Sequence, residues 1–340
     1  MSPAWERFRA SLAGSGRLPI CVAPLIAADH AAFLQNKNLR SVLHSADELA
    51  DALIGAQRRY DGDFMIVFAD VYVEAEAMGC ILQFPEDAPP HIEKTCSSES
   101  LRATIPQRDG RLPMMLAAAK RVMAELGDAI PVFASIKDPF SVAALACGAE
   151  EFFELLISQP ALARRAIEIS HQNQLRYLQA LLEMGANVIL GAPMASGGIL
   201  GEKHFKAFAL ESIVELLGHI RSAGRLAGLH MCGDSEPILA ELSRIPAHFV
   251  SIESFNVDRW KELVSDGQPH PALMGYFPTD LLHRGSIEQI EAEVQREIAS
   301  LWGFPHILAT ACDVPQHCPE VQVQTFVKAA RRWRLKGLSS

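Results

Sequence analysis

Short apolar runs recur along the whole chain, each followed by a polar or glycine-rich turn and then a helical pattern. Eight are evident, at residues 18–26, 64–70, 131–136, 187–192, 226–232, 248–253, 272–277 and 306–312. Each has the length of a strand, and near-continuous apolar character suits a parallel sheet covered on both faces. Between them lie amphipathic segments such as 211–223, 288–301 and 321–333. The longest, 151–184, is expected to break at Gln159-Pro160, because proline restricts the residue before it. Eight strands alternating with helices predict an α/β fold, a single (β/α)8 TIM barrel spanning 1–340 with an N-terminal extension. The alternative, a doubly wound open sheet, lacks the glycine fingerprints that accompany nucleotide binding in such folds. Residues 83–109 are polar, contain Pro85, Pro89 and Pro90, and read as a long excursion after the second strand.

Composition narrows the function classes. With 31 basic and 40 acidic residues the formal charge is −9, so a globally basic nucleic-acid binder is excluded. The basic cluster at 331–336 reads as a solvated helix end. No stretch reaches the 18 or so apolar residues of a membrane span, and the first residues lack the apolar block of a secretory signal. A cytoplasmic location without membrane association is the expectation. Seven cysteines form neither a disulfide scaffold nor an even set, which fits a reducing compartment with room for metal-binding thiols.

A barrel concentrates chemistry at the C-terminal ends of its strands. Those ends carry Asp70, Lys137-Asp138, the segment His230-Met231-Cys232-Gly233-Asp234, Glu253 and Cys312-Asp313. His230 and Cys232 are two apart, which on a strand places both side chains on one face. Cys312, distant in sequence, reaches the same mouth if its strand closes the barrel. One imidazole and two thiols suit Zn²⁺, with one tetrahedral corner left for substrate and Glu253 as a resting occupant. Such a centre activates thiols, which is the chemistry of alkyl transfer to sulfur. Cys318 follows Cys312 closely enough to be weighed as a further ligand, although packing at a helix start accounts for it better. Cys21, Cys80, Cys96 and Cys147 read as packing residues. Asp70 ends an apolar run and needs either a partner or a function. For Lys137, pairing with Asp70 or Asp138 is the plainer expectation.

Three blocks carry a family resemblance: residues 68–80 (FADVYVEAEAMGC), 229–234 (LHMCGD) and 311–315 (ACDVP). The chain resembles the uroporphyrinogen decarboxylase superfamily, and within it the zinc-dependent corrinoid methyltransferases, over nearly its whole length. The resemblance implies zinc on His230, Cys232 and Cys312, with Glu253 near the metal and Asp70 at the active-site acid position. It further implies methylcobalamin or another methylated corrinoid, carried by a small partner protein, and a thiol acceptor such as coenzyme M or homocysteine. Tyr72 and the turn containing Gly197 and Gly198 are expected to shape the cofactor and substrate pocket, the turn offering backbone amides to an anionic tail. Alternatives within the resemblance are a uroporphyrinogen-type decarboxylase and a methyltransferase using tetrahydrofolate. Outside it stands a non-enzymatic corrinoid- or metal-binding relative. The decarboxylase reading is weakened by the stretch 24–30, PLIAADH, which brings no arginine before Arg40 for a substrate with eight carboxylates. Barrels of this kind often pair, so a homodimer stays open.

Overall fold

The computed structural model describes residues 2–15 and 19–333. Its strands are β1 (Val22–Ala23), β2 (Met65–Val67), β3 (Ile81–Gln83), β4 (His91–Lys94), β5 (Val132–Lys137), β6 (Asn187–Gly191), β7 (Ala227–Asp234), β8 (Phe249–Ser254), β9 (Ala272–Met274) and β10 (His306–Ala309). Eight of them form one parallel sheet in the order β1-β10-β9-β8-β7-β6-β5-β2, a nearly closed TIM barrel. Every expected apolar run overlaps one barrel strand, with β5, β7 and β8 running one or two residues past the expected ends. Leu18, the first residue of the first run, lies outside the described residues, as does the 334–336 part of the basic cluster.

The seam between β1 and β2 is bridged by one residue, through its backbone and its side chain. Asp63 donates its backbone N–H to Val22 O at 2.8 Å, and its Oδ2 accepts the Val22 N–H at 3.0 Å. The buried carboxylate is gripped by Arg7 and Arg331, so the N-terminal and C-terminal helices are both tied to the seam. The N-terminal extension is the helix Pro3–Leu12, started by Ser2, whose side chain accepts the Trp5 N–H. Phe8 from this helix plugs the barrel floor, with ring centroids 6.1 to 6.2 Å from Phe64, Phe133 and Phe249. Those three rings stand at the N-terminal ends of β2, β5 and β8. The floor is therefore packed, and access is left to the opposite end.

The long amphipathic segment splits as expected, into Ala149–Ser158 and Pro160–Glu183. The excursion after β2 is more ordered than its polarity suggests. It holds β4 and the loop that joins β4 to β3 in an antiparallel hairpin, and the short helix Val73–Met78 leads into that hairpin. Its anchor is apolar: Cys80 and Cys96 are buried with sulfurs 3.7 Å apart, and Cys80 donates to Ala146 O. The hairpin loop reaches the end of the barrel, where Gln316 donates to Asp87 O at 3.0 Å.

Candidate metal centre at the barrel mouth

β7 and β10 deliver the three expected ligands to one place. Cys232 Sγ lies 3.3 Å from His230 Nε2 and 3.7 Å from Cys312 Sγ, and Cys312 Sγ is 3.8 Å from the same nitrogen. Tetrahedral zinc with Zn–S near 2.3 Å and Zn–N near 2.05 Å has S···S edges of about 3.8 Å and S···N edges of about 3.5 Å. The observed triangle matches those edges within a few tenths of an ångström, so the donor set fits such an ion. Among the described residues this is the one group of three or more His, Cys, Asp or Glu with ligand atoms close enough to share a metal.

The strand geometry that aims these groups departs from a simple pleat. His230 pairs with Ser251 and Met231 with Ile252, but Asp234 pairs with Ser254. β7 thus carries one residue more than β8 between the last two pairs, a bulge at Cys232-Gly233. Gly233 takes φ +75°, open to glycine without strain. Its N–H donates to Glu253 Oε2 at 2.6 Å, so Glu253 pins the bulge that carries Cys232. His230 Nδ1 lies 2.9 Å from Ser251 Oγ on the neighbouring strand, which leaves Nε2 directed at the two sulfurs. Without a cation the thiol of Cys312 is held well above its usual range by its hydrogen bond with Cys232 and by burial. Burial opposes protonation of His230, but Cys312, Asp313 and Glu253 together outweigh it and raise the imidazole. A dication held by the three groups would reverse that balance and favour the thiolate.

Asp70 has a partner. Arg111 Nη1 and Nη2 donate to its two oxygens at 2.5 and 3.1 Å, and Arg111 Nε donates to Glu76 at 2.6 Å. Asp70 also accepts the Tyr72 N–H at 2.8 Å. The expected partners of Lys137 need correction. Its Nζ lies 3.5 Å from Glu74 Oε2, donates to the backbone oxygen of Asp70 and stands over the Phe68 ring. Asp138 instead starts the next helix by accepting the Ser141 N–H. Both cations are thus committed inside the wall of the mouth.

Gly197 and Gly198 open the helix Gly197–Phe208, where close packing favours small residues. A Cβ on Gly197 would meet Pro237 Cδ at 2.8 Å, and one on Gly198 would meet Asp234 Cβ at 3.1 Å. Cys318 does not join the metal group. It is fully buried with Phe277 and Phe326, and its thiol faces Leu282 O. Cys21, Cys80, Cys96 and Cys147 are buried as expected.

Sequence reasoning missed three contributors, Ser251, Arg111 and Asp29, and noted Asp313 at its strand end without giving it a role. Beside the sulfur cluster, a cavity of about 160 Å³ is lined by Asp29, Asp70, Tyr72, Asp313, Phe68 and the excursion's Pro89 and Pro90, among others. Burial raises the carboxyl of Asp29 and pushes that of Asp313 up to about 6. No helix among the described residues is long and apolar enough to cross a membrane.

Fold and site together define a TIM-barrel protein that gathers one imidazole and two thiols at the C-terminal end of its strands. The chain belongs to the uroporphyrinogen decarboxylase (URO-D) family of enzymes, whose family model matches residues 6–333. It is 25% identical over 266 residues to the methylcobamide:CoM methyltransferase MtaA of Methanosarcina barkeri, covering 76% of each chain. It is also 25% identical over 304 residues to the uroporphyrinogen decarboxylase of Neisseria meningitidis, covering 84% of each. Among solved structures, a methyltransferase from Methanosarcina mazei superposes with a TM-score of 0.83 at 20% identity, over 97% of this chain and 98% of that one.

Proposed function

We propose that this protein transfers a methyl group from a methylated corrinoid, presented by a small partner protein at the barrel mouth, to a thiol. Zinc on His230, Cys232 and Cys312 belongs to this reading. The observation that carries it is the donor triangle, whose edges are those of three corners of a zinc tetrahedron. The methylcobamide:CoM methyltransferases among the relatives support the same direction.

Zinc in that position would acidify an incoming thiol so that it reacts as thiolate at neutral pH. The chain's own residues prepare the rest. Ser251 fixes the ring of His230, and Glu253 fixes the bulge and places a carboxylate beside the cluster. Asp70 acts as a positioning residue: through Arg111 and the Tyr72 N–H it holds the turn that forms one side of the cavity. Tyr72 and Phe68 line that side and exclude water, while Gly197 and Gly198 let the next loop close against β7.

The decarboxylase reading needs several free cations for a polycarboxylate, whereas Arg111 and Lys137 are already paired. The deciding experiment measures the zinc content of purified protein, then follows methylcobalamin demethylation optically with thiols or tetrahydrofolate. Stoichiometric zinc and thiol-dependent demethylation are expected. Metal-free protein that decarboxylates uroporphyrinogen overturns the proposal, and activity with tetrahydrofolate alone transfers it to the folate alternative.

A further inference from the structure

Resting on the methyl-transfer reading, we propose that His30 is a positioning residue of the proposed metal centre, holding in place the segment that carries Cys312. β10 ends at Ala309, and its pairing with β1 stops there, before the thiol is reached. Past that point the segment is held by single hydrogen bonds. On the β9 side Ala311 donates its N–H to Phe277 O at 2.8 Å. On the β1 side Thr310 Oγ1 accepts the Leu25 N–H at 3.0 Å, and Val314 donates its N–H to Leu25 O at 2.8 Å. His30, in the helix Ala28–Leu34 that follows, supplies the next anchor: its Nδ1 lies 3.1 Å from both Pro315 O and Gln316 O. Cys312 thus sits between anchors on either side.

The chemistry of its partners fixes the state of the ring. Carbonyl oxygens only accept, so Nδ1 carries the proton and donates to both. Nε2 is then an acceptor, and it receives the Tyr60 O–H at 2.8 Å. Tyr60 closes the helix Ala46–Tyr60 and stacks on the imidazole, with ring centroids 5.8 Å and planes 18° apart. Burial lowers the pKa of His30, which favours this neutral form at neutral pH. The side chain is fully buried and is not among the residues that line the cavity, so it acts through the segment it holds rather than on a substrate. An apolar side chain would fill the same space but leave Gln316 O without its donor and Pro315 O with only the Cys318 N–H. The segment would then be free to shift, and the Cys312 thiol with it.

Cobalt(II) in place of zinc reads this arrangement without turnover. Thiolate-to-cobalt charge-transfer absorption grows with the number of bound thiolates, and competition with a chromophoric chelator gives the affinity for either ion. For His30→Leu the affinity is expected to fall about tenfold, with weaker charge-transfer absorption as Cys312 is held less well. His30→Asn keeps a donor at the level of Nδ1 and is expected to restore most of both. If His30→Leu does not fold, His30→Gln, whose amide sits at the level of Nε2, takes its place in the comparison. Urea denaturation of each variant separates positioning from packing. Lower stability with affinity and spectrum unchanged overturns the inference and leaves the proposed function standing. His30→Asn binding as weakly as the variant without a donor at Nδ1 does the same. Failure of the parent protein to bind either ion removes zinc-dependent methyl transfer and this inference with it.

Discussion

His230 and Ser251 sit directly opposite one another on β7 and β8, and the imidazole Nδ1 is 2.9 Å from the serine oxygen. The register of two parallel strands thereby sets the orientation of the imidazole in the proposed metal centre. With Nδ1–H donating to Ser251, Nε2 is the free nitrogen, and it faces both sulfurs. Ser251→Ala leaves the ring without that partner and is expected to lower zinc affinity by about 10- to 100-fold. A competition titration against a chromophoric chelator reads the change directly. An unaltered affinity would mean that packing alone orients the ring.

Cys312 and Cys318 are only six positions apart but differ in what their loss should do. Cys312→Ser removes one of three donors and is expected to yield protein without stoichiometric zinc. Cys318→Ala opens a small void among Phe277, Phe326 and their neighbours, costing about 1 kcal/mol while zinc stays bound. Metal analysis and urea denaturation of both variants separate the two roles. Zinc lost from the Cys318 variant would contradict its placement in the core.

The strand ends were legible because the barrel's parallel strands are buried on both sides and so read as uninterrupted apolar runs. The pair His230 and Cys232 followed from the two-residue period, although the bulge after Met231 did not, since a bulge is defined by the partner strand. Ser251 was hidden for the same reason: its role depends on pairing with His230 rather than on any spacing in its own segment. Arg111 was invisible because its acid, Asp70, lies across the whole excursion, and the polarity of that segment concealed the ordered strand β4 and a cysteine, Cys96, buried against Cys80. Gly197 and Gly198 carry a second demand that the sequence did not show, a close approach by Pro237 and Asp234.

The Asp70–Arg111 pair is buried on both sides, so its two members are not equivalent to remove. Arg111→Ala strands Asp70 without its cation and is expected to destabilise the fold by about 3–5 kcal/mol. Asp70→Asn leaves Arg111 with Glu76 and is expected to cost distinctly less. Urea denaturation of the two zinc-loaded variants provides the comparison. Equal losses would show that the arginine is not what makes the Asp70 charge tolerable.

Asp138 gives the fold a pH dependence with a definite sign. Its Oδ2 accepts the Ser141 N–H, whereas Oδ1 is buried without a hydrogen bond. Burial pushes its carboxyl up to about 6, and the hydrogen bonds at the helix start only partly offset this. An unfolded aspartate titrates at about 3.9. The folded protein therefore binds this proton more tightly than the unfolded chain does. Asp138 disfavours folding least below about pH 4, and the cost grows as pH rises to about 6 and then levels off. The gap between the unfolded and folded values corresponds to about 3 kcal/mol at neutral pH. The amide introduced by Asp138→Asn keeps an acceptor for the Ser141 N–H and carries no charge to bury. The stability of Asp138→Asn relative to the parent is thus expected to rise between about pH 4 and 7, by up to about 3 kcal/mol, and to be flat above. Urea unfolding at several pH values across that range measures it, and a gap independent of pH would show that the Asp138 carboxyl is not shifted by its burial.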